Sequence, residues 1–339
     1  MSLATHVRTL GRGPGRSRSL TREEAAEAMA LMLSGAAEPE AVGALLMLLR
    51  MKGETAEEIA GFTEAAQGAL PDLGAVDLDW PSYAAGRTRG LPWFLLSARL
   101  VAEAGHRVLL HGWNGPDGAV RDGLARAGIA VAEGPEAVPA LLDRDRIAYL
   151  PLETLSPAIF RLLGLRPVFG LRSCINTTCR MLNPARAAAS VQGVFHPPYR
   201  LLQSDAARLL GWRALTVIKG GGGEFERHPT KEIAQFGLRD GAAWEAPAPA
   251  LMADTRRLND GQEDPGLLTA LWQGDLRDAF AEAVVTGTAA LALDTLGVAG
   301  PEQAARERGA ARPRSRAAGD GPRAAPGAAG GRRPGPGGR

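Results

Sequence analysis

The sequence predicts an α/β protein in which a small N-terminal helical domain precedes a larger wound α/β domain. Three observations lead there. Residues 20–72 carry helix start and stop signals, the apolar period changes to that of buried strands after residue 77, and those strands alternate with helical stretches. With 339 residues, 45% of them hydrophobic, the chain has the apolar surface to bury both cores.

Thr21 and Glu24 form a capping box that opens a helix, and Gly35 closes it. Pro39 starts a second helix, apolar on most sides through Leu45, Leu46, Leu48 and Leu49 and ended by Gly53. Thr55 and Glu58 cap a third, which stops before Pro71. The middle helix is too apolar to face water, so either its own unit or a second copy must cover it. Further on, RVLLHG (107–112) and ALTVIKG (214–220) read as buried parallel strands ending in glycine turns, with IAVA and RIAYLP as shorter candidates. Helical patterns at 97–104, 118–127 and 199–210 lie between them. In such sheets ligands collect outside the carboxyl ends of the strands, here the loops starting near Gly86, Gly112 and Gly220.

The formal charge of +2 is unevenly spread. Residues 1–20 hold four arginines and no acid, residues 301–339 hold nine against three acids, and the body between them has a net charge of −8. Both ends are rich in Gly, Pro, Ala and Arg, and read as disordered tails that either reinforce binding to phosphate polymers or only solubilise the chain. The expected division is a basic disordered segment at 1–18, a helical domain at 19–74, an α/β domain at 75–311 and a basic disordered tail at 312–339. Cys174 and Cys179 form no CxxC pair and no zinc-spaced cluster, which points to free thiols in a reducing compartment. No apolar run reaches the roughly 18 residues of a membrane span, and the N-terminus lacks the apolar stretch of a secretory signal. A cytoplasmic protein with no membrane contact is expected.

Three stretches are candidates for chemistry. In WPSYAAGRTRGLPWFLLS (80–97), Ala84, Ala85, Gly86 and Gly90 would let backbone approach an anion, yet Arg87 and Arg89 fill that space with guanidinium groups. In KGGGGEFERHP (219–229), four glycines permit close approach, with Lys219, Glu224, Glu226, Arg227 and His228 around them; a flexible connection with solvated charges would look the same. In LRSCINTTCRMLNPAR (171–186), Arg172, Arg180 and Arg186 interleave with Asn176, Thr177 and Thr178, which suits phosphate and sugar oxygens or an ordinary loop before a helix. His111 is either a base or a hydrogen-bonded turn residue, and no Ser or Cys nucleophile with an acid partner is identifiable. Trp80, Tyr83, Trp93, Phe94 and Trp113 lie near the basic loops and either stack on bases or belong to the core.

Over residues 19–311 the chain resembles the anthranilate phosphoribosyltransferase superfamily of glycosyl transferase family 3. The likeness is carried by REEAAEAMALMLSGAAEPEAVGALLMLLRMKGETAEEIAGF, SARLVAEAGHRVLLHG, LGLRSCINTTCRMLNPA and VQGVFHPPYRLLQSDAARLLGWRALTVIKGGGGE. It implies the phosphoribosyltransferase and nucleoside phosphorylase type of fold, dimerised through the helical part. The enzymes hold pyrophosphate in a Gly-Thr-Gly-Gly-Asp-Gly loop followed by Asn-x-Ser-Thr; here AAGRTRG and PWFLL stand instead. Their Lys-His-Gly-Asn-Arg becomes LHGWN (110–114), and their magnesium-holding Asp-Glu pair survives only in altered form, as Glu224 and Glu226. Arg172 matches the arginine that binds the aromatic acid.

The remainder resembles the divergent, non-catalytic YbiB-type branch, which implies a homodimer that binds DNA or RNA with little sequence preference along a basic groove. On that reading Arg87, Arg89, Lys219 and Arg227 meet phosphates, with Arg172, Arg180 and Arg200 as further contacts; no residue is catalytic, and no cofactor or metal is expected. The rival expectation is a transferase or phosphorylase acting on a different phosphorylated sugar or nucleotide, for which Glu224 and Glu226 are the best support.

Overall fold

The structure is a computed structural model that describes residues 2–83, 90–113, 115, 118–259 and 261–310. The expected N-terminal disorder is overturned. Leu3–Gly11 form a helix, α1, capped by the Ser2 side chain and burying Leu3, His6 and Leu10. Its apolar stripe is short, and the Gly- and Pro-rich stretch just after it hides it in composition. Then come α2 (Arg22–Ser34), α3 (Pro39–Lys52) and α4 (Ala56–Gly68), and both capping boxes, Thr21 with Glu24 and Thr55 with Glu58, form as expected. Helices α2 and α4 meet closely at Gly61, where a Cβ would lie 2.1 Å from the Arg22 carbonyl oxygen. Helix α1 packs on α3, so the apolar middle helix is covered within the chain, with Leu45, Leu46 and Leu49 fully buried.

The second domain begins with β1 (Leu78–Ser82), α5 (Phe94–Glu103), β2 (Val108–Gly112), α6 (Ala119–Arg126), α7 (Val138–Asp145) and β3 (Ile147–Pro151). Four short helices follow, α8 (Leu152–Leu155), α9 (Pro157–Leu163), α10 (Arg166–Phe169) and α11 (Ile175–Arg180). Then come β4 (Ala189–Val194), α12 (Tyr199–Leu209), β5 (Ala214–Lys219), β6 (Ile233–Arg239), β7 (Ala242–Ala248), α13 (Gly266–Gln273), α14 (Ala279–Thr295) and α15 (Pro301–Ala310). The strands form one sheet in the order β3-β2-β1-β4-β5-β6-β7. The first five are parallel, and the winding reverses between β1 and β4, the topological switch point where such sheets bind ligands. Strands β6 and β7 add an antiparallel hairpin, turning at Asp240 and Gly241, both at positive φ. IAVA contributes only an isolated bridge from Val131 to Tyr149.

One face of the sheet packs on the helical domain and α8 to α12, the other on α5, α6, α13 and α14. Trp80, Trp93 and Phe94 belong to the second core, where Trp80 stacks on Phe94 at 6.5 Å and meets Phe225 edge-on at 5.4 Å. Trp113 packs against Phe160, so the core reading holds for these aromatics. Cys174 and Cys179 are free and buried. Among the described residues no helix is long and apolar enough to cross a membrane.

Candidate anion-binding site

The carboxyl end of β4, at Val194 and Phe195, borders a cleft of about 250 Å³. Helix α11, buried along its whole length, delivers Arg180 to it, and the Arg180 Nη2 donates to the Tyr83 carbonyl at 2.9 Å. Burial lowers the Arg180 pKa, while the nearby Glu224 charge acts to raise it. Arg50 from the last turn of α3, Arg166 at the start of α10 and Arg172 just before α11 join it, with Asn176, Thr177 and His196 between them. Four guanidinium groups in one cleft form a site for anionic oxygens.

Beneath this cleft runs a buried polar chain. The Tyr83 hydroxyl lies 2.9 Å from His111 Nδ1, His111 Nε2 lies 3.0 Å from Asp79 Oδ1, and the Ser190 hydroxyl donates to Asp79 Oδ2 at 2.6 Å. Gln192 Nε2 extends it to Ser190 at 3.2 Å. These contacts join β1, β2 and β4 through side chains that are all buried.

The glycine run after β5 borders a second cleft of about 280 Å³, lined by Arg200, Lys219, His228 and Lys231 together with Glu226 and Glu232. Arg200 sits over the Phe236 ring at 4.5 Å, and Lys219 is exposed at the strand end. Gly222 and Gly223 have positive φ, which lets the run turn tightly. Glu224 is buried with its backbone against Gly193, where a Cβ would stand 2.0 Å from the Glu224 carbonyl carbon.

Glu226 turns inward, and its Oε2 accepts from the Phe94 amide, the first residue of α5, at 2.8 Å. Burial pushes its pKa up to about 8, so near neutrality it is largely a protonated acid capping a helix. Magnesium is usually held by one or two carboxylates together with waters and phosphate oxygens. Here the Glu226 carboxyl is committed to the Phe94 amide, so the altered acidic pair does not offer both carboxylates to such an ion.

The residues singled out in the sequence therefore separate. Arg172 and Arg180 share the first cleft, and Arg200 and Lys219 the second. Arg87 and Arg89 lie outside the described residues. Arg227 was expected to meet phosphate, but it is 1% exposed, its Nη2 donates to the Pro249 carbonyl and its amide donates to Thr288 Oγ1 at 2.9 Å. Burial lowers its pKa, and it holds the glycine run against α14 at Gly287. His111 lies inside β2, fully buried, and so is not a turn residue. Arg50, Arg166 and Lys231 were not read from the sequence; they come from separate elements with no shared motif, and only the tertiary fold brings them to the clefts.

The helical domain, the switch-point sheet and the arginine-lined cleft on the same side of it make up the frame of the protein, and comparison with known proteins gives the family. Residues 6–69 match the family described as glycosyl transferase family, helical bundle domain. The anthranilate phosphoribosyltransferase of Haloarcula marismortui is 30% identical over 310 residues, covering 85% of this chain and 90% of the relative. That of Geobacillus kaustophilus is 29% identical over 288 residues, 80% of each chain. The crystal structure of the Thermus thermophilus enzyme superposes with a TM-score of 0.77 at 22% identity, covering 91% of this chain and 94% of the other. The chain belongs to the anthranilate phosphoribosyltransferase family.

Proposed function

We propose that the protein is a homodimer that binds nucleic acid with little sequence preference through its phosphates, on a transferase fold that has given up its metal-dependent site. The convergence of Arg50, Arg166, Arg172 and Arg180 on one cleft carries this reading. A polymer of phosphates needs repeated positive charge, and a second cleft with Arg200, Lys219 and Lys231 supplies more of it beside the first. The inward turn of Glu226 supports it, because that carboxyl is committed to α5. The test is fluorescence anisotropy with labelled oligonucleotides of several sequences at several salt concentrations. Similar affinities that fall steeply with salt support the reading, and no binding at low salt overturns it.

A second reading, phosphoryl-sugar or nucleotide transfer, is favoured by kinship with enzymes and by Arg172 lying in a small-molecule-sized cleft. Turnover of anthranilate and phosphoribosyl pyrophosphate with magnesium, abolished by Glu224→Gln, would establish it in place of the first.

A further inference from the structure

We propose that the first cleft takes a single strand, with phosphates inward on the arginines and unstacked bases against its rim. This rests on the nucleic-acid reading and adds the form of the ligand. The wall of the cleft from Val194 to Tyr199 carries two aromatic rings, Phe195 and Tyr199, both half-buried. The Phe195 ring meets His196 edge-on at 4.9 Å, and the Tyr199 hydroxyl donates to Glu54 at 3.4 Å, so both rings are positioned by neighbours.

Beside these rings the exposed side chain of Leu171 also lines the cleft. A surface meant only for phosphates would have no use for these three apolar groups. A duplex keeps its base faces stacked inside, whereas a single strand offers a flat apolar face with each phosphate, matching rings beside arginines. Tyr199 lines the first cleft and Arg200 the second, so a strand leaving the first cleft over the start of α12 meets Arg200, Lys219 and Lys231.

The experiment uses the full chain and three labelled probes of about 20 nucleotides, an oligothymidylate, a mixed duplex and an abasic strand with the same phosphates. The oligothymidylate is expected to bind about tenfold more tightly than either of the others. Phe195→Leu, which keeps apolar volume without the π face, should lose most of that advantage by weakening the oligothymidylate more than the duplex or the abasic strand, while Phe195→Trp should keep it. Equal affinity for the thymidylate and abasic strands, or equal weakening of all probes by Phe195→Leu, overturns the inference and leaves phosphate binding intact. Failure of every probe to bind overturns both.

Discussion

Arg180 donates to the backbone carbonyl of Tyr83 at 2.9 Å, so one guanidinium both lines the anion cleft and closes the end of β1. Replacing it by Met takes this donor from that carbonyl and removes a positive charge that interacts with Glu224. Arg180→Met is expected to cost about 2–4 kcal/mol in a denaturant titration, as well as weakening anion binding.

Lys219 stands exposed at the end of β5 and has no such double duty. Lys219→Glu is expected to change stability by less than about 0.5 kcal/mol. In the nucleic-acid reading it weakens binding to every sequence alike and lowers the log K against log salt slope by about 1 or more, as measured by anisotropy titration.

Arg227 gives the opposite pattern. Its side chain is packed against α14 and donates to Pro249, so Arg227→Ala is expected to destabilise the fold by about 2–4 kcal/mol. Binding by the folded fraction, and its salt slope, should stay as in the parent. A flattened salt slope in a variant of full stability would show that Arg227 does reach the ligand.

Glu226 makes stability depend on pH. Burial raises its pKa from 4.5 to about 8, so in that window the folded chain holds a proton that the unfolded chain has released. This contribution is fully present below the unfolded value, falls as pH rises by at most about 1.4 kcal/mol per unit, and levels off above the folded value. Glu226→Gln keeps an acceptor for the Phe94 amide without the ionisation. The stability of the variant relative to the parent should therefore climb from pH 5 to about 8 and then stay flat. A difference that does not vary with pH would mean that Glu226 is ionised in the folded protein.

Much of the fold was legible because local chemistry and final structure agree. Thr21 with Glu24 and Thr55 with Glu58 mark helix starts by satisfying backbone amides within one turn, which needs no tertiary information. The strands at 108–112 and 214–219 are apolar runs buried on both faces. By contrast, β1 and β4 contain Asp79, Pro81, Ser190 and Gln192, and their polar groups are paired across strands far apart in sequence. The β6–β7 hairpin carried its own signal in Asp240-Gly241, a dipeptide that favours the tight hairpin turn. At the candidate site, Arg172 and Arg180 could be read because they share a polar stretch, whereas Arg50 and Arg166 reach the cleft from separate helices. Arg227 was misread because a charge in a glycine-rich run looks solvated until α14 is packed over it.

The pairing of β1 with β4 spans only Leu78 with Ala189 and Asp79 with Ser190, while β1 with β2 runs over five residues and β4 with β5 over six. Mechanically the sheet is two stiff plates joined by a narrow seam. The bond from Ser190 to Asp79 is a rivet at the edge of that seam, and beyond it the strands no longer restrain each other. With the fewest paired residues of the parallel ladders, this line is where bending the sheet would strain the fewest backbone bonds, and β4, on one side of it, ends at the Val194 that borders the arginine-lined cleft.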